Sequence, residues 1–206
     1  MRLGATSARW DSSRAGRAGM WPYREVMRVI AGELGGRRLV TPGGTSTRPT
    51  TDRVREAVFN SLASAGVLDG ALVVDLFAGS GAVGIEALSR GAARCVFVER
   101  DRSALRALEE NLDALDLRDR AEVIGSDAMA TVRGFDADIV FADPPYDFDR
   151  WDELLDRVAA DLVVAESGEP IEVPVGWTAA RSKRYGRTRV TFIERASAGQ
   201  VGSDSQ

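Results

Sequence analysis

Two consecutive prolines after a short apolar run constrain this chain more than any other feature. Residues 137–142, Ala-Asp-Ile-Val-Phe-Ala, read as a buried strand, and Asp143-Pro144-Pro145-Tyr146 follows directly. Each proline lacks an N–H and has its φ fixed, so a ladder cannot continue through the pair. The chain must leave the sheet in a rigid, extended loop. That loop presents a carboxylate, two carbonyls and an aromatic face at a strand's C-terminal end, the edge where open α/β sheets bind ligands. It can accept hydrogen bonds from a planar –NH2 group while Tyr146 stacks on the ring that bears it. Those are the needs of methylation at an exocyclic amine. The plain alternative is a strand-to-helix turn with Tyr146 packed down.

The chain around this loop alternates strands with helices. Residues 71–77 form a second apolar run that enters Ala78-Gly79-Ser80-Gly81-Ala82-Val83-Gly84 and then a helix to about Arg90, with Gly91 closing it. Strands follow at 94–99 and 121–125, separated by a helix over 101–115 whose Leu105, Leu108, Leu112 and Leu115 share a face. A short helix over 151–159, a fifth strand over 162–166 and two more strands within 171–194 complete the core. This order predicts an α/β fold: a seven-stranded, mostly parallel sheet with an antiparallel C-terminal edge. Ahead of it, 28–41 reads as a β-hairpin turning at Leu34-Gly35-Gly36. A helix then runs to about Ala65, with Val54, Val58, Phe59 and Leu62 as its apolar stripe. The expected organisation is a disordered leader over 1–26, a hairpin-and-helix extension over 27–66, a core domain over 67–195 and a disordered tail over 196–206.

The titratable residues narrow the chemistry. Gly79-x-Gly81-x-x-Gly84 fits a dinucleotide fingerprint, which alone is compatible with NAD or with another adenosine cofactor. Glu99 ends the second strand, where a carboxylate can hold both ribose hydroxyls. Asp127 ends the third, positioned for an adenine edge or for capping the next helix. The chain has no histidine, which removes His-based triads and nearly all zinc sites; no metal is expected. Its one lysine lies in the C-terminal basic segment, which leaves a nicotinamide enzyme without its usual proton donor. A single cysteine excludes an internal disulfide and suits a reducing compartment. With no membrane-length apolar run and no signal-peptide pattern, the expectation is a cytoplasmic protein, and a monomer.

Charge is unevenly placed. Residues 1–60 carry 11 arginines against 5 acids, whereas the whole chain has a net charge of −4. A second basic cluster, Arg181, Lys183, Arg184, Arg187, Arg189 and Arg195, lies near the other end. Two basic ends around an acidic middle point to a polyanion partner, and solvated surface charge is the bland alternative for either end alone.

Asp75-Leu76-Phe77-Ala78-Gly79-Ser80-Gly81 together with Asp143-Pro144-Pro145-Tyr146 resembles the class I (Rossmann-like) S-adenosylmethionine-dependent methyltransferases of exocyclic amino groups. Residues 28–32 (Arg-Val-Ile-Ala-Gly), residues 48–60 (beginning Arg-Pro-Thr-Thr-Asp-Arg-Val-Arg) and Lys183-Arg184-Tyr185-Gly186 are similar, more narrowly, to the RsmD family of bacterial 16S rRNA guanine-N2 methyltransferases. The likeness runs from about Met27 to Ile193. It leaves residues 1–26 outside, and the segment between Tyr146 and Gly176 is short for the family. The resemblance implies methylation of one guanine's 2-amino group in 16S rRNA, within a partly or fully assembled 30S subunit. It implies Asp143, Pro144, Pro145 and Tyr146 as catalytic residues. For S-adenosylmethionine it implies Asp75, Phe77, Ala78, Gly79, Ser80, Gly81, Glu99, Arg100, Asp127 and Ala128. RNA contacts are expected from Arg28, Arg37, Arg38, Arg48, Arg53, Arg55, Lys183, Arg184 and Arg187, with Arg48 and Arg53 alternatively closing over the cofactor. A DNA amino-methyltransferase, a methyltransferase of protein glutamine and a non-catalytic RNA-binding relative are the competing readings.

Overall fold

The apolar runs become the inner strands of one sheet. The computed structural model describes residues 27–42 and 49–196. Seven strands, β1 (Leu72–Leu76), β2 (Arg94–Glu99), β3 (Ala121–Gly125), β4 (Asp136–Ala142), β5 (Ala159–Ser167), β6 (Trp177–Tyr185) and β7 (Thr188–Arg195), lie in the order β3-β2-β1-β4-β5-β7-β6. The first five are parallel; β7 runs antiparallel to β5, and β6 to β7. The order reverses between β1 and β4, which opens a crevice beyond their C-terminal ends.

Alternation along each strand feeds two cores. Val73, Ile139, Phe141 and Val164 face one side, and there they pack against α1 (Pro49–Ala65), α2 (Ala82–Ser89) and α3 (Arg102–Ala114). Val74, Leu76, Val140, Ala142 and Val163 face the other, under α4 (Ala128–Thr131) and α5 (Trp151–Arg157). Strands covered on both faces have no polar side, which is why they read as continuous apolar runs. Cys95 is buried in the first core, as its run implied. The fold matches the expected class, with one shift of boundary: α5 stops at Arg157 and β5 begins at Ala159, earlier than the apolar run at 162.

The extension over 27–42 is a looser hairpin than its sequence predicts. One bridge, Arg28 to Arg38, replaces a ladder. Its Val29 and Leu39 enter the first core beside Val54, Val58, Phe59 and Leu62 of α1. Buried side chains of the core domain hold its backbone. Glu86 on α2, fully buried, accepts from the amides of Ile30 (2.7 Å) and Ala31 (3.1 Å) and from Arg90 Nε (2.6 Å). Asn111 on α3 accepts from Val40 N–H and donates both to Val40 O and to Ser80 O, the last in the glycine-rich turn. The leader, Arg48 and residues 197–206 lie outside the described residues. No helix among the described residues is long and apolar enough to cross a membrane.

Candidate active site

The glycine-rich turn leaves β1 through a strained residue. Phe77 has φ 65°, a conformation that disfavours a non-glycine side chain by about 1–2 kcal/mol. Gly79 (φ 57°) and Gly81 (φ 82°) continue the turn into α2. The glycines differ in what requires them. A Cβ on Gly79 would meet nothing, so only its backbone angle selects glycine; its N–H donates to Glu99 Oε2 at 2.8 Å. A Cβ on Gly81 would sit 2.4 Å from Leu108 Cδ1, and one on Gly84 would sit 2.3 Å from Phe97 Cε1 and 2.6 Å from Cys95 Sγ. The later glycines therefore let α2 close onto β2 and α3, while the first leaves open space at the helix entrance.

Asp75 departs from the expected cofactor contact. It is buried beneath the turn, and its carboxylate accepts from Gly84 N–H at 2.9 Å. Burial pushes its carboxyl up to about 7; the Gly84 N–H opposes that rise, and the charges of Asp143 and Glu99 add to it. Asp75 braces the turn from below. Ala78, Ser80 and Gly81 also stand back: Ala78 N–H donates to Val98 O, and Ser80, itself buried, contacts Met27 Sδ through its hydroxyl (3.7 Å).

Two cavities open at the C-terminal edge of the sheet. One, of about 270 Å³, is lined by Phe77, Glu99, Arg100, Asp127 and Ala128, all expected cofactor residues, together with Val98 and Ser126. Glu99 is fixed there by the N–H groups of Gly79, Arg100 and Asp101. Asp127 caps α4 by accepting from Met129 N–H and pairs with Arg100 at 3.1 Å. The second cavity, of about 670 Å³, is lined by Tyr146, Phe148, Trp151, Glu166 and Ser167, among others. Asp143, Pro144 and Pro145 line both. Among the described residues no cluster of His, Cys, Asp or Glu is arranged to hold a metal ion.

The shared wall is built as its prolines dictate. The loop leaves β4 after Ala142, and the Pro145 carbonyl is taken by Phe148 N–H at 3.0 Å. Neither the Asp143 carboxylate nor the Pro144 carbonyl accepts a hydrogen bond from another described residue, so both remain available to a donor in the cavity. Burial raises the Asp143 carboxyl to about 6. Its side chain is open to the cavity, where water moderates that rise, so it is ionised at neutral pH. Tyr146 is 74% exposed, with its ring against Gly168. That excludes the plain turn with Tyr146 packed down. Phe148 supports the loop edge-on to Phe77 and Trp151, with ring centroids 5.7 and 5.1 Å away.

The expected RNA-binding residues divide. Arg28, Arg37, Arg38, Arg53, Lys183, Arg184 and Arg187 are exposed. Ser167 pairs with Arg189 at the start of β7, which brings the β6–β7 turn, with Arg184 and Arg187, to the same edge as the larger cavity. Arg55 is a correction. It is 4% exposed, donates to Arg28 O at 2.6 Å, and pairs with Asp52 at 3.2 Å, so it ties α1 to the extension and is closed to a phosphate. Burial lowers its pKa, and Asp52 and Glu86 oppose that. Glu166 was missed. It ends an apolar run at the C-terminal edge of a parallel strand, the same signal that marked Glu99.

Residues 27–194 match the family described as Conserved hypothetical protein 95. Ribosomal RNA small subunit methyltransferase D of Escherichia coli K12 is 38% identical over 194 residues, covering 86% of this chain and 94% of that protein. The solved structure of the yhhF protein of Escherichia coli superposes with a TM-score of 0.74 at 39% identity, covering 84% of this chain and 99% of that one. Magnesium protoporphyrin IX methyltransferase of Synechocystis PCC 6803, solved with bound S-adenosylmethionine, shares the fold. Its TM-score is 0.59 at 16% identity, over 71% of this chain and 80% of that one. The extension, the glycine-rich turn and the Asp-Pro-Pro-Tyr loop all fall within the matched span, and the chain belongs to the Conserved hypothetical protein 95 family, the RsmD family that its sequence resembles.

Proposed function

We propose that this protein methylates the exocyclic 2-amino group of a guanine in 16S rRNA, within a partly or fully assembled 30S subunit in the cytoplasm. The observation that carries the reading is the wall of Asp143, Pro144 and Pro145 shared by two cavities. One side has Phe77, Glu99 and Asp127, a residue set that suits an adenosine cofactor. The other has an aromatic rim wide enough for a base splayed out of its RNA. The small-subunit rRNA methyltransferase to which the chain is 38% identical supports the substrate class.

The residues present fit S-adenosylmethionine: Gly79 leaves the helix entrance open, and Glu99 is held where a ribose would lie. The cofactor supplies an activated methyl sulfonium, so neither a metal nor a covalent nucleophile is needed. Glu99 would accept from the ribose hydroxyls, and Asp127 and Ala128 would meet the adenine. Across the wall, the Asp143 carboxylate and Pro144 carbonyl would accept from the two N–H bonds of the guanine amine. That orients its lone pair toward the methyl carbon and stabilises the positive charge that develops on nitrogen. When bound, the cofactor would supply its methyl carbon to the amine nitrogen and keep the C–S bonding pair on sulfur. The amine then loses a proton to Asp143 or to water. Tyr146 would stack on the base, and the exposed arginines of the extension and of the β6–β7 turn would hold phosphates.

The test is transfer of radiolabelled methyl from S-adenosylmethionine to naked 16S rRNA, to 30S subunits from a strain lacking the protein, and to duplex DNA. Label recovered as N2-methylguanosine from 30S subunits or 16S rRNA is the expected result. Label confined to DNA, or none with cofactor binding intact, overturns it.

A further inference from the structure

The mechanism leaves Glu166, in the wall of the larger cavity, unused. β4 ends at Ala142 opposite Ala165 of β5, so Asp143, the first residue past β4, lies beside Glu166, which is still paired within β5. Both line the 670 Å³ cavity. Glu166 is half-buried and, among the described residues, has no hydrogen bond or ion pair. Its charged surroundings come from several elements, and Asp75 of β1 lines a small cavity with it beside Arg55 and Asp143. Asp143 flanks it from β4. Arg55 approaches from α1; its Nη2 is held by Arg28 O and Asp52, while its Nε lies 3.9 Å from Glu86 and has no hydrogen-bond partner among the described residues. Arg189 precedes Val190, the partner of Glu166 on β7, and turns a guanidinium N–H to Ser182. Asp147, Asp149 and Glu169 line the same cavity. Burial, reinforced by Asp143 and opposed by Arg55, pushes the Glu166 carboxyl up to about 8. Burial thus favours its protonated form near neutral pH. A neutral carboxyl carries one O–H donor and one carbonyl acceptor.

That pair matches one part of a guanine. Next to the 2-amino group, which Asp143 would hold, lie N1–H, a donor, and then O6, an acceptor. Adenine carries an acceptor at N1 and a donor at N6, the reverse order. We infer that Glu166 is the specificity-determining residue of the acceptor cavity: its carbonyl accepts from guanine N1–H and its O–H donates to O6, while Asp143 holds the neighbouring amine. The inference rests on the guanine-N2 reading above. It deepens that reading by giving base recognition to a residue of the protein itself, separate from the methyl-transfer wall.

Glu166→Ala and Glu166→Gln distinguish recognition from support. Methyl transfer to 30S subunits lacking the modification is measured from pH 6 to 9.5, alongside the KM for S-adenosylmethionine and the melting temperature. The parent protein must yield N2-methylguanosine; if it does not, the underlying reading fails and this inference with it. Given that product, Glu166→Ala is expected to lower kcat/KM for the subunit by about 10–100-fold, the loss of paired hydrogen bonds in a desolvated site. The KM for the cofactor should not move. Glu166→Gln presents the same donor and acceptor and is expected to stay within about threefold of the parent. The parent's rate should fall above about pH 8 as Glu166 ionises and loses its donor, and the Gln variant should lack that fall. Parental activity in Glu166→Ala, an equal loss in both variants, or an alkaline limb that persists in Glu166→Gln overturns the inference. If Glu166→Ala fails to fold, the pH profile of the Gln variant decides alone.

Discussion

Replacing Gly84 with alanine separates packing from cofactor binding. The added Cβ would lie 2.3 Å from Phe97 Cε1, 2.8 Å from Phe97 Cζ and 2.6 Å from Cys95 Sγ. Phe97 is fully buried and Cys95 nearly so, and neither has open space to retreat into. Gly84 does not need a left-handed backbone, so alanine gains about 1 kcal/mol of helix propensity. Forcing an extra carbon into a packed core typically costs about 1–3 kcal/mol. An overlap of more than 1 Å, judged against an optimal carbon separation of about 3.5–4.0 Å, places this case at the upper end. The net expectation is a destabilisation of about 2 kcal/mol, or roughly 1 M off the urea midpoint at a slope of about 2 kcal/mol/M. Gly79→Ala is the companion. Its Cβ meets nothing, and its φ of 57° costs about 1–2 kcal/mol. That variant should be milder in urea and should act on affinity for S-adenosylmethionine, because the open space at Gly79 is where the cofactor would approach. Equilibrium urea unfolding followed by tryptophan fluorescence reads the first effect, and calorimetric titration with the cofactor reads the second. A Gly84→Ala protein as stable as the parent would refute the claim that this glycine exists to let α2 close on β2.

Glu86→Ala removes the carboxylate that holds Ile30 N–H, Ala31 N–H and Arg90 Nε. Breaking a buried charged network of this kind costs about 3–5 kcal/mol, and limited proteolysis should cut within 27–42 faster than in the parent. Asp75→Asn keeps an oxygen for Gly84 N–H but cannot ionise. Because the folded carboxyl is raised to about 7, the parent loses stability as pH rises from about 4 through 7. The variant's unfolding free energy should gain on the parent's between pH 5 and pH 8, by up to a few kcal/mol at about 1.4 kcal/mol per pKa unit; parallel curves contradict this. Tyr146→Ala should raise the KM for the RNA substrate by about 10–100-fold through loss of stacking worth about 1–3 kcal/mol, while Tyr146→Phe stays near the parent. Arg184→Ala with Arg187→Ala should weaken 30S binding and flatten its salt dependence, by roughly one unit of log–log slope for each phosphate no longer neutralised; an unchanged slope removes that turn from the interface.

The elements proposed to carry the chemistry were legible because each has a local cause. Pro144-Pro145 ends a strand whatever surrounds it, and the glycines at 79, 81 and 84 punctuate a strand-to-helix turn by their backbone needs and by helix packing. The doubly buried strands show as unbroken apolar runs. What stayed hidden depends on neighbours distant in sequence. Arg55 looks like any arginine on a polar helix face; only the return of residues 28–38 over α1 buries it. Asp75 sits in the family motif and suggests a ligand contact, yet the Gly84 amide of the turn above claims it. Glu86 lies inside an apolar helix stretch, where a buried acid signals a distant partner without naming it. The early start of β5 is set by its partner: Asp136 and Ala137 of β4 pair with Ala159 and Ala160, although those residues carry no strand signal of their own.

In the proposed mechanism the Asp143 carboxylate and the Pro144 carbonyl position the acceptor amine. Single-turnover methyl transfer to 30S subunits, with cofactor and subunit both saturating, tests it directly in Asp143→Ala and Asp143→Asn. Loss of an acceptor aimed at developing charge is expected to slow the chemical step by about 10²–10³-fold, with cofactor affinity retained. In the parent the rate should fall below about pH 6 as Asp143 takes up a proton. An Asp143→Ala protein that transfers methyl at the parental rate would contradict the account, whatever the RNA.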